Sequence, residues 1–180
     1  MLNTGLIKML TRILPLLILF LGGCGLTQRV TEGTKSALHS VFYKKITVLR
    51  LDFSAREALN TDARENNSLS ESVVIRIYQL KDDKLFNTLV YQQLLHEADT
   101  LLKADLLSSR DVVLKPGGDV SLDMPMETDT QFVAVVGLFR QPDQEKNNWR
   151  QVMERDALEP DRARIFDAGS HYLTLRPLED

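Results

Sequence analysis

A single cysteine, one tryptophan, no acidic side chain before Glu32 and no apolar run of membrane-spanning length are the scarcities that bound this 180-residue chain. One thiol forms no intramolecular disulfide, so the fold must hold by packing even in an oxidising compartment. The uncharged window between Arg12 and Arg29 falls short of the ~20 apolar residues that cross a bilayer as a helix. Three histidines, His39, His96 and His171, are scattered along the chain, without the spacing that converges several ligands on zinc. Gly117-Gly118 lacks the following helix and lysine of a phosphate-cradling loop, and no G-x-S-x-G elbow occurs. Acidic residues outnumber basic ones, 25 to 22, for a net charge of -3. That sign disfavours nucleic acid as a partner.

What is present at the amino terminus is ordered by charge. Lys8 and Arg12 precede an uncharged stretch, residues 13–23, that closes on Leu21-Gly22-Gly23-Cys24. This is the layout of a secretory signal peptide. The small residues before the lone cysteine resemble the bacterial lipobox, in which the thiol is acylated before cleavage. The expectation is therefore a signal peptide over residues 1–23 and a lipid on Cys24, the first mature residue. An incidental cysteine in an uncleaved helix is the alternative, and the ordered spacing of charge, apolar run and small-small-Cys argues against it. Several acyl chains, at ~0.8 kcal/mol per buried methylene, would make the attachment effectively permanent. Gly25 stands where an aspartate would favour retention at the inner membrane, so the expected address is the outer membrane, facing the periplasm. Loss of Lys8 and Arg12 with the signal takes the net charge to about -5. Residues 24–43 are polar and read as a lipidated N-terminus and tether, whose residues 25–42 reach at most ~60 Å.

From residue 44 to residue 180 the chain reads as one domain. Leu49, Leu51 and Phe53 alternate with Arg50 and Asp52, the period of a half-buried strand. Val73-Val74-Ile75-Arg76-Ile77-Tyr78-Gln79-Leu80 has the β-branched and aromatic content that strands favour. Phe86, Leu89, Val90 and Leu94, then Ala98, Leu101, Leu102 and Leu106, stand at helical spacing. They place one or two short helices within about 86–108, with a break near Ala98 and Asp99, their apolar stripes facing the core. Further strands are expected at 111–114 and around Val120, Leu122 and Met124, across the Pro116-Gly117-Gly118 turn. The almost uninterrupted apolar run 131–140 suits a central strand buried on both faces. Residues 149–153, 162–166 and 172–176 complete a set of seven or eight short strands. Together they predict a mainly β chain, an antiparallel two-sheet β-sandwich with a short helical insertion after the second strand.

Residues 56–70, between the first two strands, are rich in Arg, Glu, Asn, Asp and Ser. Most connections run to about four to six residues, and longer ones tend to be functional or disordered. The carboxylates are spread over turns and loops, with no pair marked out for acid-base work. An acylated Cys24 is no nucleophile. Trp149 beside Arg150 is open to two readings, a buried strand residue or an exposed partner contact. No enzyme activity is expected, and no cofactor beyond the covalent lipid.

Several segments, in order, resemble the TssJ family, outer-membrane lipoproteins of the bacterial type VI secretion system. They are Val74-Ile75-Arg76-Ile77-Tyr78-Gln79-Leu80, Asp105-Leu106-Leu107, Leu114-Lys115-Pro116-Gly117, Phe132-Val133-Ala134-Val135-Val136-Gly137-Leu138-Phe139-Arg140 and Trp149-Arg150. With the lipobox they span nearly the whole mature chain. The resemblance implies a transthyretin-like sandwich and a role without catalysis. It would pin the secretion machine's trans-envelope complex to the outer membrane by binding the periplasmic C-terminal region of the inner-membrane protein TssM, with TssL an indirect partner and several copies per complex. It also implies that the loop joining the first two strands makes the TssM contact. Arg56, Asp62, Arg64, Glu65, Asn66 and Asn67 are the residues placed there. A lipid-anchored ligand-binding or carrier module is the alternative, and a cell-wall-acting enzyme with two facing carboxylates is a third class.

Overall fold

Alternation along one strand decides which residues become the core. In the computed structural model, which describes residues 46–62, 64 and 69–178, strand β1 (Val48–Ala55) turns Leu49, Leu51 and Phe53 inward, each at most 1% exposed. Arg50 and Asp52 stay half-buried on the other face. β1 lies in the middle of one four-stranded sheet. Its neighbours are β4 (Asp119–Pro125) and β7 (Arg164–Ala168), with β8 (Leu173–Leu175) beyond β7, giving the order β4-β1-β7-β8. The second sheet has the order β3-β2-β5-β6 and is built from β3 (Leu106–Leu114), β2 (Val73–Leu80), β5 (Phe132–Gly137) and β6 (Arg150–Glu154). The two sheets form the expected β-sandwich.

One pairing departs from the antiparallel expectation: β1 and β7 run parallel, with Leu51 opposite Arg164 and Phe53 opposite Phe166. Parallel neighbours need a crossover rather than a hairpin. Here the chain passes through the whole of the other sheet between the two strands. The Phe53 and Phe166 rings stack at 5.4 Å across this pair.

β5 is the doubly covered strand that its sequence predicts. Val133, Ala134, Val135 and Val136 are all 0% exposed, and short helices pack on the strands to either side, against Tyr78 of β2 and Arg150 of β6. Those helices are α1 (Lys84–Thr88), α2 (Tyr91–His96) and α3 (Ala98–Leu101). Helices of four to six residues are far below the ~12 that begin to hold alone in water, so tertiary contacts must support them. Phe86, Leu94 and Leu102 are fully buried, and Phe86 lies 6.0 Å from Tyr78 of β2. Arg150 donates to the carbonyls of Phe86, Asn87 and Leu89, and its guanidinium rests 5.0 Å from the Trp149 ring centroid. Trp149 is 1% exposed and edge-on to Tyr91 at 5.0 Å, so the buried reading holds. Leu106 is not helical: it opens β3 opposite Leu80, after a bulge at Gln79/Leu80. Its helical spacing from Leu102 is that of one isolated turn, in which the Leu106 N–H donates to the Leu102 carbonyl at 2.8 Å before the strand begins.

Candidate partner-binding surface

The long connection between β1 and β2 is built inward before it reaches outward. At its start the Arg56 N–H donates to the Ala168 carbonyl (2.9 Å), and the Gly117 N–H donates to the Arg56 carbonyl (3.2 Å). Gly117 sits at φ +64, in the left-handed region that favours glycine, which is why the Pro-Gly-Gly turn carries one at this position. The exposed Arg56 guanidinium lies 6.0 Å from the Tyr172 ring centroid. Leu59 is fully buried and fastens the loop to the core. Glu71 N–H closes the loop by donating to the Leu59 carbonyl at 3.1 Å.

Two short polar side chains then lock the loop to its neighbours. Asn60, in the left-handed region at φ 50, is 3% exposed. Its Nδ2 donates to the Ser72 carbonyl at 3.0 Å, and its Oδ1 accepts the Arg140 N–H at 2.7 Å. Asp62 is 6% exposed. Its carboxylate accepts the Arg64 N–H at 2.9 Å, Arg64 Nε at 3.1 Å and an Arg64 terminal nitrogen at 3.0 Å, and also Gln141 Nε2. The side-chain bonds from Arg64, followed by its backbone N–H, hold the Asp62 carboxyl below its ordinary value. Arg140 pairs with Glu71 at 3.2 Å.

Of the residues assigned to partner contact, Arg56 and Arg64 present exposed side chains, that of Arg64 at 77%. Asp62 faces the opposite way, buried as the ligand that sets Arg64. Its charge is spent inside the protein, so its task is holding rather than touching. Glu65, Asn66 and Asn67 lie outside the described residues, as do Cys24 and the tether. Leu69, 76% exposed, joins the candidate surface, and sequence reasoning passed over it because an isolated leucine carries no periodicity. Nothing in the sequence signals that residues 138–148 are bound to this loop, since the pairing depends on Asn60 and Asp62 meeting residues 80 and 79 positions away.

A model of the type VI secretion lipoprotein family, whose members include VasD, EvfM and TssJ, matches residues 47–169. The chain belongs to the type VI secretion lipoprotein family. That family is a structural component of a secretion system and not a family of enzymes. Among solved structures, a chain of the one described as "Type VI membrane complex" is 44% identical over 74% of this chain and 100% of its own, with a TM-score of 0.68. A chain of the structure described as "T6SS protein TssM C-terminal domain (869-1107) from EAEC" gives the same identity and coverage with a TM-score of 0.66. The lipoprotein TssJ1 from Pseudomonas aeruginosa is 24% identical over 75% of this chain and 100% of its own, with a TM-score of 0.58. At that distance it testifies to the fold, and the TssJ-type sandwich is that fold. A search of curated proteins finds no match.

Proposed function

We propose that this lipoprotein is a mechanical link, fixed to the outer membrane by lipid on Cys24 and joined through the loop at residues 56–70 to the periplasmic C-terminal region of TssM. TssL is reached only through TssM, and several copies gather in the assembled complex. Confinement at the membrane raises the effective concentration for that assembly.

The observation that carries the reading is the placement of β1. The domain's amino-terminal approach at Ile46 and the loop at Arg56 are the two ends of one central strand, so anchor and partner would connect through a strand hydrogen-bonded on both sides. Membership of the secretion lipoprotein family supports the setting. The TssM-containing description supports the partner. A match covering 74% of 180 residues and 100% of the other chain amounts to about 133 residues, well short of the span 869–1107. The matched chain thus reads as a companion of the TssM fragment in that structure. The space in which a carrier would hold its cargo is filled by Leu51, Phe53, Ile75, Ile77, Val135 and Phe166, each at most 1% exposed.

Fractionation with affinity purification tests the reading. The full-length chain should be recovered from outer membranes together with TssM, and Cys24→Ser, which leaves no thiol to acylate, should remove it from the outer-membrane fraction. Retention of the Cys24→Ser chain in the outer membrane, or purification without TssM, contradicts it.

A further inference from the structure

Two loops, not one, are held as a single unit at the Ala55 end of β1. The Asp62 carboxylate is shared: Arg64 binds both its oxygens, and Gln141 Nε2 donates to Oδ1, which also accepts the Arg64 N–H and Nε. The exposed Arg64 side chain therefore stands within a carboxylate's width of the connection between β5 and β6. Asn60 accepts the Arg140 N–H at 2.7 Å and Arg140 reaches Glu71 at 3.2 Å, so both limbs of the first loop are fastened to the start of the second.

The second loop is fixed at its other end and along its course. Leu173 N–H donates to the Asn148 carbonyl at 2.7 Å, and Gln151 Nε2 donates to the Leu173 carbonyl at 3.1 Å. Between these ends, Asp143 closes a turn. Its Oδ1 accepts the Lys146 N–H at 3.0 Å and its carbonyl accepts the Asn147 N–H at 3.0 Å, while Asn147 takes φ 51. Gln144, Glu145, Lys146 and Asn147 are all exposed on this preset backbone, Lys146 with its Nζ 3.7 Å from an Asp143 carboxylate oxygen. A loop ordered before binding loses little entropy on contact.

We propose that the partner surface is composite: residues 144–147 form its second half, beside Arg64, and the shared Asp62 carboxylate is the bracket that sets the two halves in register. This rests on the reading of TssM as the partner and adds a contact site that the first loop alone does not supply. Gln141 is a positioning residue, acting through Asp62.

The test measures binding of the TssM periplasmic C-terminal region to the full-length lipidated chain in detergent. Arg64→Glu, the pair Glu145→Lys with Lys146→Glu, and Gln141→Ala are compared with the unaltered protein. Each of the first two should weaken binding about tenfold or more, the 145/146 pair with melting temperature unmoved and Arg64→Glu with a lowered one, because it strips the buried Asp62 carboxylate of its cation. Gln141→Ala should weaken it severalfold, and Gln141→Glu, which sets a second carboxylate against Asp62, should weaken it further. Loss with Arg64→Glu alone, while the 145/146 pair binds within twofold of the unaltered protein, overturns the composite surface and leaves TssM as the partner of the first loop. Undiminished binding by every variant overturns both. Loss with the 145/146 pair but not with Arg64→Glu also overturns the composite surface, by moving the contact wholly to the second loop.

Discussion

The two ends of β1 are secured by opposite means. Near Val48 the chain is held by a buried amide and a half-buried guanidinium whose polar atoms are used on neighbouring groups of the protein itself. Gln79, 0% exposed, accepts the Glu127 N–H at 2.8 Å and the Thr130 hydroxyl at 2.9 Å and donates to the Pro125 carbonyl at 2.8 Å. Arg155 donates to the carbonyls of Glu127, Thr128, Thr130 and Ile46. Near Ala55 the fastening groups are also buried, but each leads outward: Asn60 to Arg140, Asp62 to the exposed Arg64. The first end is finished within the protein, whereas the second ends in side chains offered to solvent. A link needs both, one end that does not yield and one that presents a specific face.

Altering the finished end should cost stability first. Gln79→Leu leaves three groups without their partner, two donors and an acceptor in a partly closed site. At ~1 to 3 kcal/mol for each buried group left unpaired, moderated by water at the exposed Glu127, the expected loss is about 3 kcal/mol. Urea unfolding measures it, and a loss under about 1 kcal/mol would show that this end is not the rigid one. Arg155→Met should follow at about 2 kcal/mol, since a charged donor is removed from several carbonyls but water can replace it at Glu127 and Thr128. The same unfolding experiment reads it.

The presenting end should respond to acid rather than to denaturant. The Asp62 carboxyl is depressed below its ordinary 3.8 in the folded chain, chiefly by the Arg64 side chain. A depressed carboxyl contributes its stabilisation above the unfolded value and loses it as pH falls through the folded one. The bracket should therefore stay closed from neutral pH down to about pH 4 and open below it. The Gln141 side-chain amide resonance followed by NMR reports the opening. A midpoint above 4, or the same titration in Asp62→Asn, would remove Asp62 from this role.

How much of this was legible in the sequence depends on the range of the interactions. The alternation of Leu49, Leu51 and Phe53 and the run from Phe132 to Gly137 are local patterns, and both place their strands correctly. Trp149 was resolved toward burial only by Tyr91 and Arg150 packing onto it. The parallel β1–β7 pair escaped detection because strand direction is set by the path of more than 100 intervening residues, not by either strand's composition. Leu106 misled because helical spacing from Leu102 persists across a turn. In the loop between β1 and β2, charge and length were visible, but the burial of Asp62 was not. A carboxylate in a polar stretch looks alike whether it faces solvent or accepts bonds from Arg64 and Gln141.

That burial sharpens where the loop should be cut. Removing residues 62–67 would take the bracket with it, whereas removing residues 64–68 leaves Asn60, Asp62 and their ties to Arg140 and Gln141 in place. The most direct measurement is thus the affinity of the full-length lipidated chain, with and without residues 64–68, for the TssM periplasmic C-terminal region, with melting curves recorded on both proteins. The link requires the shortened chain to stay cooperatively folded, its melting lowered only by what Asp62 loses with Arg64, and to lose TssM binding by at least tenfold. Equal affinity in two equally folded proteins would place the contact elsewhere and contradict the role assigned to this end of β1.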